Sequence, residues 1–298
     1  MKRLSTAVMA LILLFSFGAC DVINPAEDIP AYLHVEAFDF EVSPAQGTGN
    51  QKITEGWVYV NGDFLGAYSL PATLPVLATG DTDVFIDPGI QDNGISATPD
   101  IYTFLKRYST TITFEPQRED TIRPVTGYAS NANFVFIEGF ESNQHFFKED
   151  LDNNEASKIE LTTSDVFEGN SSALIRLDRD NPLAEVGSIR VDEYSPFGGT
   201  AVYIEMNYKT DVPIALGWIG YDGFGIQQNV IIDRGVNSSG EWKKIYFNFS
   251  EVINEFRITD VASYQLIIQA AIPIENGDFA LDEANVLLDN IKMIQFQQ

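Results

Sequence analysis

Short runs of alternating apolar and polar residues, rich in β-branched and aromatic side chains, recur along the chain after residue 30. A period of two places one row of side chains on a buried face and the next on a solvent face, as in antiparallel sheets. In residues 57–68 two such runs flank Asn61-Gly62, a dipeptide that favours a tight hairpin turn. The pattern predicts an all-β chain built from antiparallel strands.

The alternation is interrupted near residues 123–133, where Pro124, Gly127 and small polar residues separate the strands. We therefore expect two antiparallel β-sandwich domains, an Ig-like or prealbumin-like sandwich over 31–127 and a second domain over 128–298. The chain is long enough for two cores. With Cys20 as its one cysteine, it has no disulfide pair to stabilise them.

The first nineteen residues have the pattern of an export signal. Lys2 and Arg3 precede an apolar stretch at 8–17 that is too short to span a bilayer. The stretch ends in Phe17-Gly18-Ala19-Cys20, which resembles the lipobox of bacterial lipoproteins, although Leu is usual at the position of Phe17. The resemblance implies a signal peptide over 1–19, a lipid on Cys20 and a tether over 20–30. The alternative is an ordinary secretory signal with an incidental cysteine.

The chain is strongly acidic, with 18 basic and 43 acidic residues and a net charge of −25. Such a surface repels phosphate backbones, so we expect no nucleic-acid partner. It also repels anionic lipid, so contact with the membrane is expected only through the N-terminal lipid. The acidity either keeps the protein soluble or supplies carboxylates for calcium.

One segment of the first domain resembles the PEGA-type surface module. The resemblance rests on Val58-Tyr59-Val60-Asn61-Gly62, Leu70-Pro71, Gly80 and the apolar run at 84–86. It covers about thirty residues and implies a structural or spacer module.

Four motifs in the second domain are similar to those of galactose-binding-like, carbohydrate-binding jelly rolls. They are Phe140-Glu141, the segment from Glu168-Gly169 to Leu174, the segment from Gly240 to Lys243, and Asp289-Asn290-Ile291. The resemblance implies that residues 128–298 form a jelly roll that binds glycan. It also implies a structural calcium ion, for which Glu141 and Asp289 would supply carboxylates and Glu168 and Asn170 would border a loop of carbonyls. The alternative is that these residues are ordinary polar strand ends.

A sugar site needs aromatic rings for the apolar face of a pyranose and polar groups for its hydroxyls. The aromatic candidates are Trp218, Tyr221 and Tyr203, and the polar candidates are Glu205, Asn207, Gln265 and Gln269. Glycines on both sides of Trp218 suggest an exposed ring, although a core position is an equal alternative. Alternation places Tyr203, Glu205 and Asn207 on one face of a strand. For Trp242 we expect a core position.

The sequence offers no catalytic constellation. His34 and His145 are not in a metal-binding spacing, and no Gly-x-Ser-x-Gly motif occurs. No pair of carboxylates is singled out by its spacing. We therefore predict a non-enzyme with no catalytic residues.

The predicted function is glycan binding by a lipid-anchored outer-membrane protein exposed at the cell surface. Its layout resembles that of lipoproteins with which Bacteroidota-type bacteria capture polysaccharide. The alternative is a structural or adhesion lipoprotein that makes protein contacts in a secretion or motility assembly. An exposed aromatic platform would favour sugar, and a flat apolar patch would favour a protein partner.

Overall fold

The computed structural model describes residues 29–192, 201–258 and 261–296. Cys20, the signal segment and most of the tether lie outside these residues. In the described part no helix is long and apolar enough to cross a membrane.

The N-terminal part is a small β-sandwich. Its strands are β1 (Ala31–Val35), β2 (Asp39–Glu41), β3 (Glu55–Val60), β4 (Asp63–Ser69), β5 (Ala72–Val76), β6 (Gly80–Gln91), β7 (Pro99–Ile101), β8 (Tyr108–Phe114), β9 (Glu119–Ile122) and β10 (Val125–Gly127). One sheet has the order β4-β3-β6-β7 with β8 also on β6, and a smaller one has the order β5-β1-β9. Asn61 and Gly62 both have positive φ between β3 and β4, which confirms the predicted hairpin.

The C-terminal part continues with β11 (Ala132–Glu138), β12 (Glu149–Asp150), β13 (Glu160–Thr162), β14 (Ser172–Asp178), β15 (Leu183–Val191), β16 (Val202–Thr210), β17 (Ile214–Tyr221), β18 (Gln227–Val236), β19 (Ser239–Asn248), helix α1 (Ser250–Ile258), β20 (Ser263–Ala271), β21 (Ile274–Glu275), β22 (Asp278–Phe279) and β23 (Glu283–Phe296). The first sheet has the order β13-β14-β23-β16-β19, with β11 also on β23. The second sheet has the order β12-β15-β20-β17-β18. The pairings within both sheets are antiparallel.

The main core lies between the first and second sheets. Ile204 and Met206 of β16 point into it from one side, and Leu216 and Leu266 point into it from the other. Chain connections pass repeatedly from one sheet to the other, as in a jelly roll. The prediction of an all-β chain of two antiparallel sandwiches, the C-terminal one a jelly roll, is confirmed. Two pairings in the N-terminal sandwich, β1 with β9 and β2 with β10, are parallel.

The N-terminal sandwich packs on the outer face of the first sheet. Its apolar core includes Tyr203 of β16, Tyr246 of β19 and Ile294 of β23, all of them buried. Part of that outer face is therefore an interface between the two sandwiches.

Candidate functional site

The structure separates the seven predicted ligand residues into three groups. Tyr203, Glu205 and Asn207 lie under the N-terminal sandwich, and Trp218 lies between the two sheets of the jelly roll. The third group is on the outer face of the second sheet and consists of Tyr221, Gln265 and Gln269. No single surface brings the seven together.

Trp218 is fully buried in the main core, which is the core alternative, and its place among the ligand-binding candidates is corrected. Its ring meets Phe249 and Tyr264 edge-on, at centroid distances of 5.6 and 5.2 Å. The glycine beside it serves backbone packing, since a Cβ on Gly217 would collide with the carbonyl of Ile231. Here the flanking glycine lets β18 approach closely and does not leave the ring free.

A buried polar cluster, here called the Glu205 cluster, joins the two sandwiches. The Glu205 carboxylate accepts hydrogen bonds from Tyr102 (2.8 Å) and Tyr128 (3.0 Å) of the N-terminal sandwich. It also lies 3.0 Å from the Lys244 ammonium. Lys292, the fifth member, donates to the Tyr128 hydroxyl over 3.2 Å. Polar residues that were predicted to face a sugar therefore bind another part of the same chain.

Tyr203 and Asn207, on either side of Glu205 in β16, also contact the N-terminal sandwich. Asn207 donates to the side chain of Asn50 in the N-terminal sandwich over 3.0 Å. The Tyr203 hydroxyl accepts a hydrogen bond from Asn248 over 2.8 Å, and its ring contacts Tyr102 at 5.1 Å. Because the sandwich covers these side chains, the expectation that they form an open sugar-binding face is corrected.

The charges in the Glu205 cluster do not balance. Burial by itself raises the pKa of Glu205, but the charges of Lys244 and Lys292 outweigh it and hold the pKa below its ordinary value. Burial lowers the pKa of Lys292 to about 8, against the attraction of Glu205. At neutral pH one carboxylate therefore faces two ammonium groups.

The unfolding free energy is expected to rise with pH between about 8 and 10 because of Lys292. The folded chain releases this proton near pH 8, whereas the unfolded chain retains it to 10.5, so the unfolded state binds more protons in this window. Urea unfolding at several pH values tests this, with Lys292→Met as the comparison. An equal rise in the variant would contradict the assignment to Lys292.

The predicted residues on the second sheet are bonded to one another. The Tyr221 hydroxyl donates to Gln265 over 2.7 Å, and the Arg190 guanidinium covers the Tyr221 ring at 3.6 Å. Gln269 donates to Glu185 over 2.5 Å. These side chains form a closed polar layer with no free aromatic face.

Phe224 is an exposed aromatic that sequence reasoning missed. It lies in the β17–β18 connection with 92% of its surface exposed. The Asp222 carboxylate fixes the turn by accepting from the backbone N–H groups of Phe224 and Ile226, each over 2.9 Å. The signal was an aromatic between two glycines, Gly223 and Gly225.

The part of the first sheet that the N-terminal sandwich leaves open forms a groove of about 360 Å³, here called the first-sheet groove. Leu174 of β14 and Leu287 of β23 lie opposite each other and belong to its lining. On the other edge of β23, Lys209 of β16 lies opposite Leu287. The remaining lining residues are polar: Thr162, Ser164, Asp165, Arg176, Thr210, Asp211 and Asn285.

The polar rim of the groove is held in place by hydrogen bonds. Asp165 accepts from Lys209 over 2.7 Å and from the Trp242 ring N–H over 2.9 Å. The bond from Lys209 holds the pKa of Asp165 below its ordinary value, so this carboxylate is charged. Arg176 donates to Glu160 over 3.1 Å and is largely exposed. The groove therefore combines two leucines with fixed donors and acceptors.

Two features of the groove bear on the sequence predictions. Trp242 was expected in the core. It is instead half-buried beside Phe167, at a distance of 5.6 Å between the ring centroids. Lys209 continues the alternation of Tyr203, Glu205 and Asn207 by one step and could have been found from it. Asp165 and Asn285 carry no such signal, since they reach the groove from distant parts of the sequence.

The four residues of the predicted calcium site come together. Asn170 donates from its backbone and its side chain to Glu141, each over 2.9 Å, and the Glu168 N–H donates to Asp289 over 3.2 Å. Burial raises the pKa of Asp289, and the charge of Glu141 adds to the rise. Within the described ranges, however, no three His, Cys, Asp or Glu side chains are arranged to hold a metal ion. The oxygens suit calcium in kind, but hydrogen bonds occupy them in this arrangement.

No protein-family model matches this sequence, and no curated protein matches it. Among solved structures, the fold is similar to the CBM22-1 xylan-binding domain from Paenibacillus barcinonensis Xyn10C, with a TM-score of 0.38 and 16% identity over 57% of this chain and 99% of that one. A second xylan-binding CBM22 domain matches with a TM-score of 0.35 and 13% identity over 55% and 96%. A family 30 carbohydrate-binding module matches with a TM-score of 0.34 and 11% identity over 54% and 97%.

Proposed function

We propose that this chain is a non-catalytic glycan-binding protein and that the first-sheet groove holds the sugar. The observation that carries the proposal is the composition of the groove, in which Leu174 and Leu287 lie among fixed polar side chains. Small-molecule sites typically combine apolar walls with a few oriented polar groups. Leu174 and Leu287 are each 6% exposed, and their accessible edges would meet the C–H face of a sugar ring. Asp165 and Asn285 would meet its hydroxyls.

The packing of the two sandwiches supports this location. The N-terminal sandwich occupies the rest of the first sheet's outer face, where Tyr203 and Tyr246 belong to its core. A ligand on the outer face of the first sheet can therefore bind only where the N-terminal sandwich does not cover it, on the part of the sheet that follows Asn207 along β16. In the proposal the N-terminal sandwich serves as a spacer and bounds the open part of the face.

The proposed location of the protein rests on residues 1–30. We propose that it is exported, lipidated on Cys20 and exposed on the outer membrane, as in Bacteroidota-type surface lipoproteins. Support comes from the cationic start, the short apolar stretch and Gly18-Ala19-Cys20. The lipid would hold the sandwiches at the surface, and the tether would give them reach.

Binding of residues 21–298 to a broad glycan array tests the proposed function. We expect binding to at least one glycan class and a loss of about tenfold in affinity for Arg176→Ala, because this guanidinium lines the groove. The matched control is Arg179→Ala, which removes an equally long, partly exposed arginine paired with Asp278 and Asp282 away from the groove. Folded protein that binds no glycan, or equal losses in both variants, would overturn the proposal.

A protein-contact function is the second candidate, and a group of exposed apolar residues favours it. Val230 and Ile232 of β18 are 46% and 39% exposed, and Ile226 and Phe224 are also exposed. Exposed apolar patches commonly mark contact surfaces. A negative glycan array together with concentration-dependent self-association that Val230→Lys abolishes would favour this function.

We also propose, on the resemblance to calcium-stabilised jelly rolls, that Ca²⁺ binds between Glu141 and Asp289. Support comes from the approach of the Glu141 charge to Asp289 and from the hydrogen bonds that hold Asn170 on Glu141 and the Glu168 N–H on Asp289. Millimolar calcium is expected to raise the Tm by several degrees over the value in EGTA, because an ion bound only by the folded state stabilises it. The shift should vanish in Asp289→Asn. An unchanged wild-type Tm would contradict calcium binding.

A further inference from the structure

A second cavity, of about 320 Å³, lies at the junction of the two sandwiches and is here called the junction pocket. Lys52, Asn93 and Gly94 line it from the N-terminal sandwich. The jelly roll contributes Tyr208, Gly235, Val236, Asn237, Ser238, Lys243, Lys244 and Ile245. Among these lining residues three are lysines and none is an aspartate or glutamate. In a chain with 18 basic and 43 acidic residues, this lining is the reverse of the overall composition.

The lysines of the junction pocket have charges and N–H donors that an anion could bind. In the described part of the chain, neither Lys52 nor Lys243 forms an ion pair with a carboxylate. Lys244 is 6% exposed, and its Nζ lies 3.0 Å from Glu205 without a well-directed hydrogen bond. An ammonium group has three N–H donors, so Lys244 has room for another acceptor.

The charges of the Glu205 cluster also favour an anion in the junction pocket. Within the Glu205 cluster one carboxylate faces both Lys244 and Lys292, so the cluster by itself carries excess positive charge. Buried charge is costly unless an opposite charge or hydrogen bonds compensate for it. An anion in the junction pocket would lie beside Lys244 and restore the balance.

The remaining lining residues suit a hydroxylated ligand. Asn237 and Ser238, in the β18–β19 connection, offer an amide and a hydroxyl group. The Asn93 amide oxygen accepts from the Asn248 N–H over 2.9 Å, which leaves its NH₂ group as a donor. Tyr208 contributes an aromatic side chain to the wall. This combination of donors, acceptors and one ring matches a sugar better than a bare inorganic ion.

We propose that the junction pocket binds an acidic saccharide, a sugar that carries a carboxylate or a sulfate ester. Lys52 and Lys243 contact the charged group from the solvent side, and Lys244 does so from the buried side. The site is separate from the first-sheet groove and does not depend on the proposed function.

Calorimetric titration of residues 21–298 tests the inference with four probes: trigalacturonate, its methyl ester, a heparin-derived tetrasaccharide and sodium sulfate. We expect at least one acidic saccharide to bind, the methyl ester to bind at least about tenfold more weakly than trigalacturonate if the carboxylate is the group bound, and added salt to weaken binding. Heparin carries uronate carboxylates as well as sulfate groups. Binding of trigalacturonate therefore assigns a carboxylate, and binding of the heparin tetrasaccharide without binding of trigalacturonate assigns a sulfate group.

The variant Lys52→Gln/Lys243→Gln is expected to lose about tenfold or more in affinity for the acidic saccharide. Lys106→Gln/Lys148→Gln removes the same charge from exposed positions outside the junction pocket and should change the affinity by less than about twofold. Equal losses in both double variants, no binding of either acidic saccharide, or sulfate binding as tightly as the saccharide would overturn the inference.

Arg176→Ala separates this inference from the proposed function. If Arg176→Ala abolishes binding of the acidic saccharide while the Lys52/Lys243 variant binds it normally, the ligand occupies the first-sheet groove. That result overturns the junction-pocket inference and leaves the proposed function standing. If neutral glycans fail to bind but the acidic saccharide binds with the expected lysine dependence, the groove is overturned and the junction pocket stands.

Discussion

Replacement of Glu205 by leucine is expected to lower the free energy of unfolding by about 3–5 kcal/mol, the range for breaking a buried ion pair. Glu205 is 1% exposed. Its carboxylate forms the ion pair with Lys244 and attracts the Lys292 ammonium. Leucine would leave two ammonium groups buried without a carboxylate and would remove the acceptor of the Tyr102 and Tyr128 hydroxyls. Urea unfolding of the wild type and the variant measures the loss.

Two further variants sharpen this prediction. Glu155→Leu removes an exposed carboxylate whose ion pair with Lys158 lies on the surface, and the unfolding midpoint should not change. Glu205→Leu/Lys244→Met/Lys292→Met should recover much of the lost stability, because an apolar cluster of similar volume has no charges to desolvate. A single variant within about 1 kcal/mol of the wild type would show that the Glu205 cluster does not hold the sandwiches together.

Much of the fold is predictable because alternation and turn chemistry are local. The Asn61-Gly62 hairpin follows from two residues that both adopt positive φ. The inward row of β16, with Ile204 and Met206, follows from a period of two. The motif at Glu168 and the one at Asp289 were also expected to meet, and a hydrogen bond joins them.

The site was harder to predict because polar residues on a strand look alike whether water, a ligand or another domain satisfies them. Glu205 and Asn207 have the pattern of a ligand face, yet tyrosines and an asparagine of the N-terminal sandwich bind them. Alternation gives the face of a residue but does not show what covers that face. The same ambiguity affected Trp218, whose neighbouring glycine admits β18 and does not expose the ring.

Filling the first-sheet groove with a bulky side chain is expected to abolish glycan binding. Ser164 is exposed on the rim and lines the groove, so Ser164→Trp would occupy the space above Leu174 without removing core packing. Thr163 is also exposed and is not part of the lining, so Thr163→Trp adds the same ring next to the groove. The pair separates occlusion of the groove from a general effect of surface tryptophan.

The most direct test of glycan binding in the groove is calorimetric titration of the best array ligand into wild type, Thr163→Trp and Ser164→Trp, with matching Tm values as proof of folding. We predict that Thr163→Trp binds within about twofold of wild type and that Ser164→Trp binds more than about a hundredfold more weakly, because the ring takes the place of the ligand. Wild-type affinity in folded Ser164→Trp would contradict the assignment of the glycan to the first-sheet groove.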